Sequence, residues 1–578
     1  MHDTPEHKAQ VEHEVELAHR EHHDVSLGYQ DPHKAALEDN PKHAEKLSLS
    51  VILSALFLGT SFTGPIIFGF ILATPILVQL SEVLGGSKID FWIPSGWGAA
   101  AAVGFSIAGR LSDIFGRRYV ILVGQVLTII GAAVACSAKS MNQLIAGEVI
   151  LGGSIGTVSV AYAGISEILP NKWRGVGLAW TEFNLATWAV AGTLLANALL
   201  SHASWRIMYY IAIGYGVFSF VGTLFVYFPP SHPRPDGLTK WQEFKQLDFV
   251  GTALYVSGLA VFLYGLNSGG NTYPWKSAGT LAPLILGLFV FLSAFAYDFT
   301  VAKDPLFPWY LFKNFREFSS LLMLVFVAGM VFFAASALNA ETILYLHTAD
   351  PIKIGVLIPA LVHYIKHVHI QLTVSVFMQT LFFGLAALIT PHNLNWLMAV
   401  QFLAMLPFGW ITLNCYTTAS LHVPQRDLGV AIGLIGTFRS LGGAIGSVIF
   451  SSIFSQVAAK QVASRIADTA LSAGTSAKTL PALIEAVSLT LLGVPGEAAT
   501  VPGVSASLFA KCVESARLGY AYGFRITWLA SIPFGVIAMA CAVAVRDPSK
   551  YFTNHVEVHL EKEIGKGHVT EKTDAPQV

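Results

Sequence analysis

The chain has few charged residues for its length. Only 12% of its 578 residues are Asp, Glu, Lys or Arg, whereas about a quarter of a soluble protein is charged. Three of its four cysteines, Cys136, Cys415 and Cys541, lie inside apolar runs, so no disulfide framework is indicated. The net charge of -1 offers no basic surface for nucleic acid. These absences exclude a soluble globular protein and a disulfide-stabilised domain, and we expect no nucleic-acid partner.

Long apolar runs take the place of the missing charge. The sequence is 53% hydrophobic and its mean hydropathy is +0.57. Uncharged runs recur from Leu47 to Val545, each near the roughly 20 residues that a helix needs to cross a bilayer. The pattern predicts an all-α polytopic membrane protein with fourteen spans. The run Ile354 to Ile365 has only about twelve residues, so we count it as a shortened tenth span.

The same pattern divides the chain into five predicted regions. They are a disordered cytoplasmic tail (1–46), an N-terminal six-helix bundle (47–228), a linker with spans 7 and 8 (229–317), a C-terminal bundle (318–545) that includes a long extracellular loop (456–520), and a second cytoplasmic tail (546–578). Lys and Arg are more frequent in loops 2–3, 4–5, 6–7 and 8–9 than in the loops between them. The positive-inside rule therefore predicts that both termini are cytoplasmic. We expect the plasma membrane, with a vacuolar or endosomal membrane as the alternative.

One short loop carries an unusual concentration of charge. Residues 109–118 read GRLSDIFGRR, the pattern G-x-L-x-D-x-x-G-R-R, which resembles the signature loop between spans 2 and 3 of the major facilitator superfamily. Residues 204–211 (SWRIMYYI) resemble a segment of the fourteen-span drug:proton antiporters. The stretch 521–535 most resembles the fungal trichothecene efflux pump family, with fungal siderophore transporters as neighbours. The resemblance implies a major facilitator fold of two six-helix bundles plus two extra spans.

The resemblance also implies a role for the loop. Its fixed residues would form a conformational latch, namely Gly109, Asp113, Gly116, Arg117 and Arg118. Asp113 would meet the positive N-terminal end of span 13, near Asp427 to Gly429, and close the cytoplasmic side.

Charged residues inside the predicted spans need an explanation, because each costs roughly 2.5–3.5 kcal/mol at mid-bilayer. Glu148 in span 4 and Glu182 in span 5 are candidates for proton coupling; the alternative for each is a carboxyl that stays hydrogen-bonded between helices. Drug antiporters of the resembling group usually have arginine where Glu148 stands. Arg439, near the middle of span 13, must pair with an acid, a helix terminus or the substrate.

An apolar cavity with a few polar groups would suit an organic substrate. Its candidate lining residues, for each of which packing or lipid contact is the alternative, are Trp180, Asn184, Trp188, Trp410, Asn414 and Tyr416.

These observations predict a secondary active transporter that couples proton movement to the efflux of toxic organic small molecules, such as trichothecene-like toxins or drugs. The alternatives are a ferric-siderophore:proton symporter and, in another class, a non-transporting membrane sensor. The chain has no G-x-x-x-x-G-K-[ST] motif and no enzyme-like constellation. We therefore expect no catalytic residues, no metal and no cofactor beyond the proton gradient. The expected partners are a small organic substrate, protons and the lipid bilayer, and the expected state is a monomer.

Overall fold

The computed structural model describes residues 32–37, 47–85, 92–229, 240–269, 273–302, 305–346, 367–491, 504–553 and 555–556. These residues are almost entirely helical, and they contain no β-strand. The long helices, labelled in chain order, are α1 (Leu49–Ile66), α2 (Trp92–Phe115), α3 (Arg117–Cys136), α4 (Met141–Ile168), α5 (Asn171–His202), α6 (Arg206–Val226), α7 (Phe249–Ser268), α8 (Ala278–Thr300), α9 (Ser320–Leu346), α10 (Val368–Ala386), α11 (Leu394–His422), α12 (Leu428–Ser472) and α13 (Ala506–Ala544).

The helices confirm the predicted polytopic membrane protein. Eleven of them are long and apolar enough to cross a membrane, and α2 and α5 are the long helices outside that set. Helices α1–α9 correspond to predicted spans 1–9, and α10–α13 to spans 11–14. The predicted tenth span, Ile354 to Ile365, lies outside the described residues.

The first span is interrupted where the sequence places its prolines. After Pro65 the chain forms a π-helical turn at Ile67–Ile71, and a 3-10 turn at Thr74–Ile76 includes Pro75. Proline lacks a backbone N–H and its ring clashes with the preceding turn, so it disturbs the regular helical hydrogen bonds around it. The π turn brings Gly69 against Trp97, where an added Cβ would lie 2.6 Å from the indole nitrogen.

Two groups of helices pack into bundles and meet along a shared seam. Helices α1–α6 form one bundle and α9–α13 the other, while α7 and α8 pack mainly against each other beside α2. The seam runs along α2 against α12 and along α5 against α11. Gly109 allows the close approach of α2 and α12, because a Cβ there would lie 2.5 Å from the carbonyl oxygen of Gly429.

The predicted long loop at 456–520 is wrong in its bounds, because most of it is helical. Helix α12 continues to Ser472 and α13 already begins at Ala506. Between them lies a short helix, Leu480–Leu491. The three pieces enclose a second apolar core made of Val462, Ile466, Ala470, Leu483, Ala486, Val487, Leu491, Phe509, Cys512 and Ala516. Their apolar residues recur at helical spacing but are separated by polar ones, so the hydropathy of this stretch resembles that of a loop.

The predicted disorder of the first tail is also incomplete. Residues Pro32–Leu37 form a short helix. His33 holds it in place, since its ring nitrogen lies 2.9 Å from a ring nitrogen of His422 and its ring stacks on Tyr551 with centroids 4.3 Å apart. The other residues of this tail up to 46 lie outside the described part of the chain.

Candidate functional site

The charged loop at residues 109–118 lies at one end of the seam, which we call the motif end. Asp113, near the end of α2, accepts hydrogen bonds from the backbone N–H groups of Gly429 (3.2 Å) and Val430 (3.1 Å). These groups belong to the first turn of α12, where backbone donors are unpaired within the helix and the helix dipole is positive. The structure therefore contains the contact that the resemblance implies for Asp113.

Arg117, at the start of α3 in the same bundle, supports Asp113. The buried Arg117 forms ion pairs with Asp113 (2.5 Å) and with Glu167 on α4 (2.9 Å). Between α2 and α3, Gly116 has φ +93°, a conformation that glycine adopts without the strain of a side chain. Arg118 points elsewhere: it donates to the Leu224 carbonyl on α6 at 2.9 Å. Of the predicted latch residues, Gly109 and Asp113 thus touch α12, whereas Arg118 anchors α3 to α6.

A second set of contacts at the motif end was not predicted from the sequence. Asp427, which precedes α12, accepts a hydrogen bond from the Tyr310 hydroxyl and lies 3.8 Å from Arg110. The only sequence signal for these contacts was the charge of Asp427 beside the start of a helix. Tyr310 lies outside the predicted motifs, so no feature of the sequence was a reason to select it.

The carboxyl-terminal segment 546–556, which we call the strap, bridges the two bundles at the same end. The backbone N–H groups of Asn171 and Lys172, at the start of α5, donate to the carbonyls of His555 and Thr553, both at 3.0 Å. At its other end, the strap's Arg546 pairs with Glu317, just before α9. The strap therefore joins α5 of one bundle to the entry of α9 in the other.

The first predicted coupling residue, Glu148, is completely buried on α4. It accepts a hydrogen bond from the hydroxyl of Tyr209, near the start of α6. Its second oxygen, Oε2, has no hydrogen-bond partner among the described residues. Glu148 lies behind the π turn of α1, where a Cβ at Gly69 would come within 3.0 Å of Oε2.

The second predicted coupling residue, Glu182, lies at the seam. Its Oε1 accepts a hydrogen bond of 2.6 Å from the hydroxyl of Tyr162 on α4. The Tyr162 ring stacks on Tyr416 of α11, with centroids 4.1 Å apart and planes at 20°. This stack passes from one bundle to the other, so Glu182 is linked to both.

Arg439 of α12 completes this group, and we call Tyr162, Glu182, Tyr416 and Arg439 the central cluster. Arg439 is only 2% exposed, and it interacts electrostatically with the other three members. Its Nε and Nη1 atoms have no hydrogen-bond partner among the described residues, and neither has the Tyr416 hydroxyl. The cluster thus combines one carboxyl group with several buried donors that lack acceptors.

Two of the three predicted cavity residues of α5, Asn184 and Trp188, contact the same side chain, Tyr215, and the third does not. Trp180 donates to the Leu56 carbonyl of α1 at 3.1 Å and so holds two helices together. Asn184 accepts a long hydrogen bond, 3.5 Å, from Tyr215. Trp188 packs edge-on against the same Tyr215 ring, with centroids 6.2 Å apart.

The predicted cavity residues of α11 are brought together. Trp410 donates to the side-chain oxygen of Gln371 at 2.9 Å, and the Asn414 amide lies 3.5 Å from the same oxygen. Tyr416 belongs to the central cluster instead. The sequence analysis missed Tyr162, Tyr209 and Gln371, because uncharged residues in apolar helices give no signal of their own.

Two helix bundles that meet along a seam, with charged residues buried in it, define a membrane transporter. The chain belongs to the fungal trichothecene efflux pump (TRI12) family, which matches residues 68–576. It is 27% identical over 507 residues to the MFS-type transporter prx5 of Penicillium rubens, covering 81% of this chain and 90% of that one. It is 24% identical over 505 residues to the trichothecene efflux pump TRI12 of Fusarium sporotrichioides, covering 84% of each.

Among solved structures, the human organic anion transporter MFSD10 (TETRAN) aligns with 84% of this chain and 100% of its own, at 12% identity and a TM-score of 0.47. The family assignment predicted from the sequence is confirmed, and so are the all-helical polytopic architecture and the class of efflux transporter. The protein is accordingly a multi-pass membrane transporter, and the relatives named above are transporters as well.

Proposed function

We propose that this transporter exports small organic molecules of the trichothecene-like toxin or drug class in exchange for protons. Its place is the plasma membrane, with the motif end and both termini in the cytoplasm. One observation carries the coupling: Glu148 and Glu182 are buried within the bundles, and each accepts a hydrogen bond from a tyrosine. The substrate class is supported by family membership and by the Fusarium relative named as a trichothecene pump.

A buried carboxyl group is suited to coupling because its charge is expensive in a medium of low dielectric constant. A carboxylate that lacks a counter-ion costs several kcal/mol more inside a protein than in water. Gaining or losing one proton therefore changes which arrangement of the surrounding helices is favoured. Glu182 is placed to transmit this change, since its tyrosine partner stacks on α11 of the opposite bundle.

The two carboxyl groups lie at different depths. Glu182 is 11 residues beyond Asn171 and Arg439 is 11 residues beyond Leu428, so both lie about 16 Å from the motif end. Glu148 is 7 residues from Met141, at the opposite end of α4, or about 10 Å along the helix axis. A proton entering from outside would meet Glu148 first and Glu182 at mid-membrane.

The contacts at the motif end fit a cytoplasmic latch in its closed state. Asp113 joins α2 to α12 and the strap joins α5 to the entry of α9, so the two bundles are held together there. We assign this arrangement to the outward-facing half of the cycle. Export requires that these contacts open and reform in each turnover.

The proton gradient is a sufficient energy source. One charge moved through about 100 mV yields about 2.3 kcal/mol, which corresponds to a substrate gradient of roughly fifty-fold. We propose that the carrier works as a monomer in the bilayer and needs no cofactor.

The test uses protein reconstituted in proteoliposomes with a radiolabelled trichothecene as substrate. An imposed pH gradient should drive accumulation by the wild-type protein, and Glu182→Gln and Glu148→Gln should each abolish this dependence on pH. Glu485→Gln, on the exposed face of the short helix Leu480–Leu491, is the matched control and should behave as wild type. Gradient-driven accumulation that survives in both buried-site variants would refute the proposed coupling.

A second assay separates export from the siderophore alternative. The protein is expressed in yeast that lacks its own efflux pumps and siderophore carriers. Export predicts toxin resistance together with lower intracellular toxin. Growth rescued by a ferric siderophore, without toxin resistance, would overturn export and support the symporter.

A further inference from the structure

We propose that Arg439 and Tyr416 form a substrate-recognition subsite for an uncharged molecule that presents a carbonyl or ester oxygen on an apolar ring skeleton. This proposal deepens the proposed function, and it rests on it in taking the central cluster as the place where the substrate binds. It concerns the chemistry of recognition and needs no particular path for the proton.

The first argument is that buried donors lack acceptors. Nε and Nη1 of Arg439 and the hydroxyl of Tyr416 have no hydrogen-bond partner among the described residues, and both side chains are at most 2% exposed. Nearly all buried polar atoms in folded proteins have a partner, and leaving one unpaired is unfavourable. An acceptor oxygen supplied by a ligand would satisfy these donors. The planar guanidinium fork of arginine suits such an oxygen better than the point charge of lysine does.

The second argument is the aromatic wall around the guanidinium. Its central carbon lies 5.7 Å from the Phe62 ring centroid and 5.8 Å from that of Phe408. Phe62 in turn packs edge-on against Tyr162, with centroids 4.6 Å apart. Rings of this kind pack well against a rigid apolar skeleton and offer no hydrogen bonds to a sugar or a peptide.

The third argument is the charge of the cluster. Its titratable members are Arg439, Glu182, Tyr162 and Tyr416, and with Glu182 ionised the guanidinium and the carboxylate sum to zero. A neutral ligand then leaves the buried site neutral, whereas a cation or an anion would add an uncompensated charge at high cost.

The fourth argument is the position of the donors relative to the seam. Arg439 and Tyr416 belong to the C-terminal bundle, whereas Phe62, Tyr162 and Glu182 belong to the N-terminal bundle. A molecule bound between them contacts both bundles. Its binding energy therefore depends on how the bundles are arranged, as a transported substrate requires.

The test measures equilibrium binding to the full-length protein in lipid nanodiscs at neutral pH without any gradient. One probe is diacetoxyscirpenol, an uncharged trichothecene with acetate esters; the other is tetraphenylphosphonium, a cation without an acceptor oxygen. Arg439→Met should weaken binding of the ester probe by about tenfold or more, because hydrogen bonds to a charged donor are lost. Arg439→Lys should recover part of the affinity.

Tyr416→Phe guards against the case in which the arginine variants fold poorly, since it removes only a hydroxyl and keeps the stack on Tyr162. It should weaken the ester probe several-fold. Tyr255→Phe is the matched control. Tyr255 is fully buried on α7, outside the central cluster, and removal of its hydroxyl should leave binding of the ester probe unchanged.

Two results would overturn the subsite. One is undiminished binding of the ester probe in both Arg439→Met and Tyr416→Phe, and the other is a wild-type protein that binds tetraphenylphosphonium more tightly than diacetoxyscirpenol. Because no gradient is present, the outcome is independent of coupling. If the Glu182 and Glu148 variants keep gradient-driven transport while binding depends on Arg439, the proposed coupling fails and the subsite stands.

Discussion

The motif end and the central cluster differ in the partners that their buried polar groups have. At the motif end, each carboxylate oxygen of Asp113 accepts a backbone hydrogen bond from α12, and Arg117 has a carboxylate on either side. In the central cluster, two nitrogens of Arg439 and the hydroxyl of Tyr416 have no partner among the described residues. Both regions lie on the same seam, and α12 contributes to both.

Because of this difference, we assign closure of the two bundles to the motif end and ligand binding to the central cluster. Ion pairs and hydrogen bonds between the bundles stabilise the arrangement in which they are seen, so the motif end favours the state that is closed there. Unpaired donors stabilise nothing until an acceptor arrives, so the central cluster gains its energy from a ligand. Substitutions at the motif end should therefore change stability and rates, whereas substitutions in the cluster should change which compounds bind.

The largest expected effect comes from the two neighbouring arginines of the motif. Arg117→Gln removes one partner from a buried ion-pair network and should lower the free energy of unfolding by about 3 kcal/mol. Arg118→Gln loses a hydrogen bond to the Leu224 carbonyl and should cost about 1 kcal/mol. Thermal unfolding of the purified protein in detergent compares the two. An equal or greater loss from Arg118→Gln would contradict the division of labour.

A smaller effect is expected from Asp113→Asn, which keeps an acceptor oxygen but loses the charge. The closed state should be populated about tenfold less, because hydrogen bonds to a charged acceptor are worth about 1.5–3 kcal/mol. A Ser112→Cys reporter, fully buried at the seam, should then react faster with a thiol reagent applied from the motif side. Asp468→Asn, on the exposed face of α12, is the control.

The same variant tests whether the motif end takes part in recognition. Asp113→Asn should slow turnover for every substrate by a similar factor, since it alters an equilibrium between states and touches no ligand. A changed order of preference among substrates would show that this end contributes to specificity.

Removing the strap should have a smaller effect on closure of the motif end than Asp113→Asn has. A chain that ends at Val545 loses the backbone hydrogen bonds from Asn171 and Lys172, each worth about 0.5 kcal/mol at the lower end of the usual range. The Ser112→Cys reporter should react several-fold faster in this chain. A chain that ends at Val556 keeps the strap and is the matched control. Equal reporter rates in the two truncated chains would exclude the strap from closure.

Sequence reasoning located residues that carry their own energetic cost. Glu148, Glu182 and Arg439 stand out because charge is expensive inside a membrane, and all three are buried in the structure. The contact between Asp113 and α12 was implied by the family resemblance, and the structure contains it. The helices followed from apolar length alone. These signals are local in the chain.

Sequence reasoning failed for contacts that form only when distant segments of the chain pack together. Tyr162 and Tyr416 lie more than 250 residues apart, and nothing in either apolar run indicates that their rings will stack. The strap is polar and without periodicity, so its docking on Asn171 could not be anticipated. The helical ends of α12 and α13 were read as a loop because they bury their apolar residues against each other and expose polar ones.

The smallest effect should come from Asp547, which lies in the strap beyond the last span. Burial acts to raise the pKa of this carboxyl, but hydrogen bonds from Ser549 and the neighbouring His367 hold it below its usual value. A depressed pKa in the folded state means that the stabilisation is complete above the unfolded value of about 3.9 and is lost as the pH falls through the folded value.

Asp547 therefore contributes a constant amount to stability between pH 6 and pH 8. Asp547→Asn should raise the Ser112→Cys reaction rate less than twofold or so, and by the same factor at pH 6 and at pH 8. A rate ratio that changes between these two pH values would contradict a constant contribution from Asp547 to the closure of the motif end.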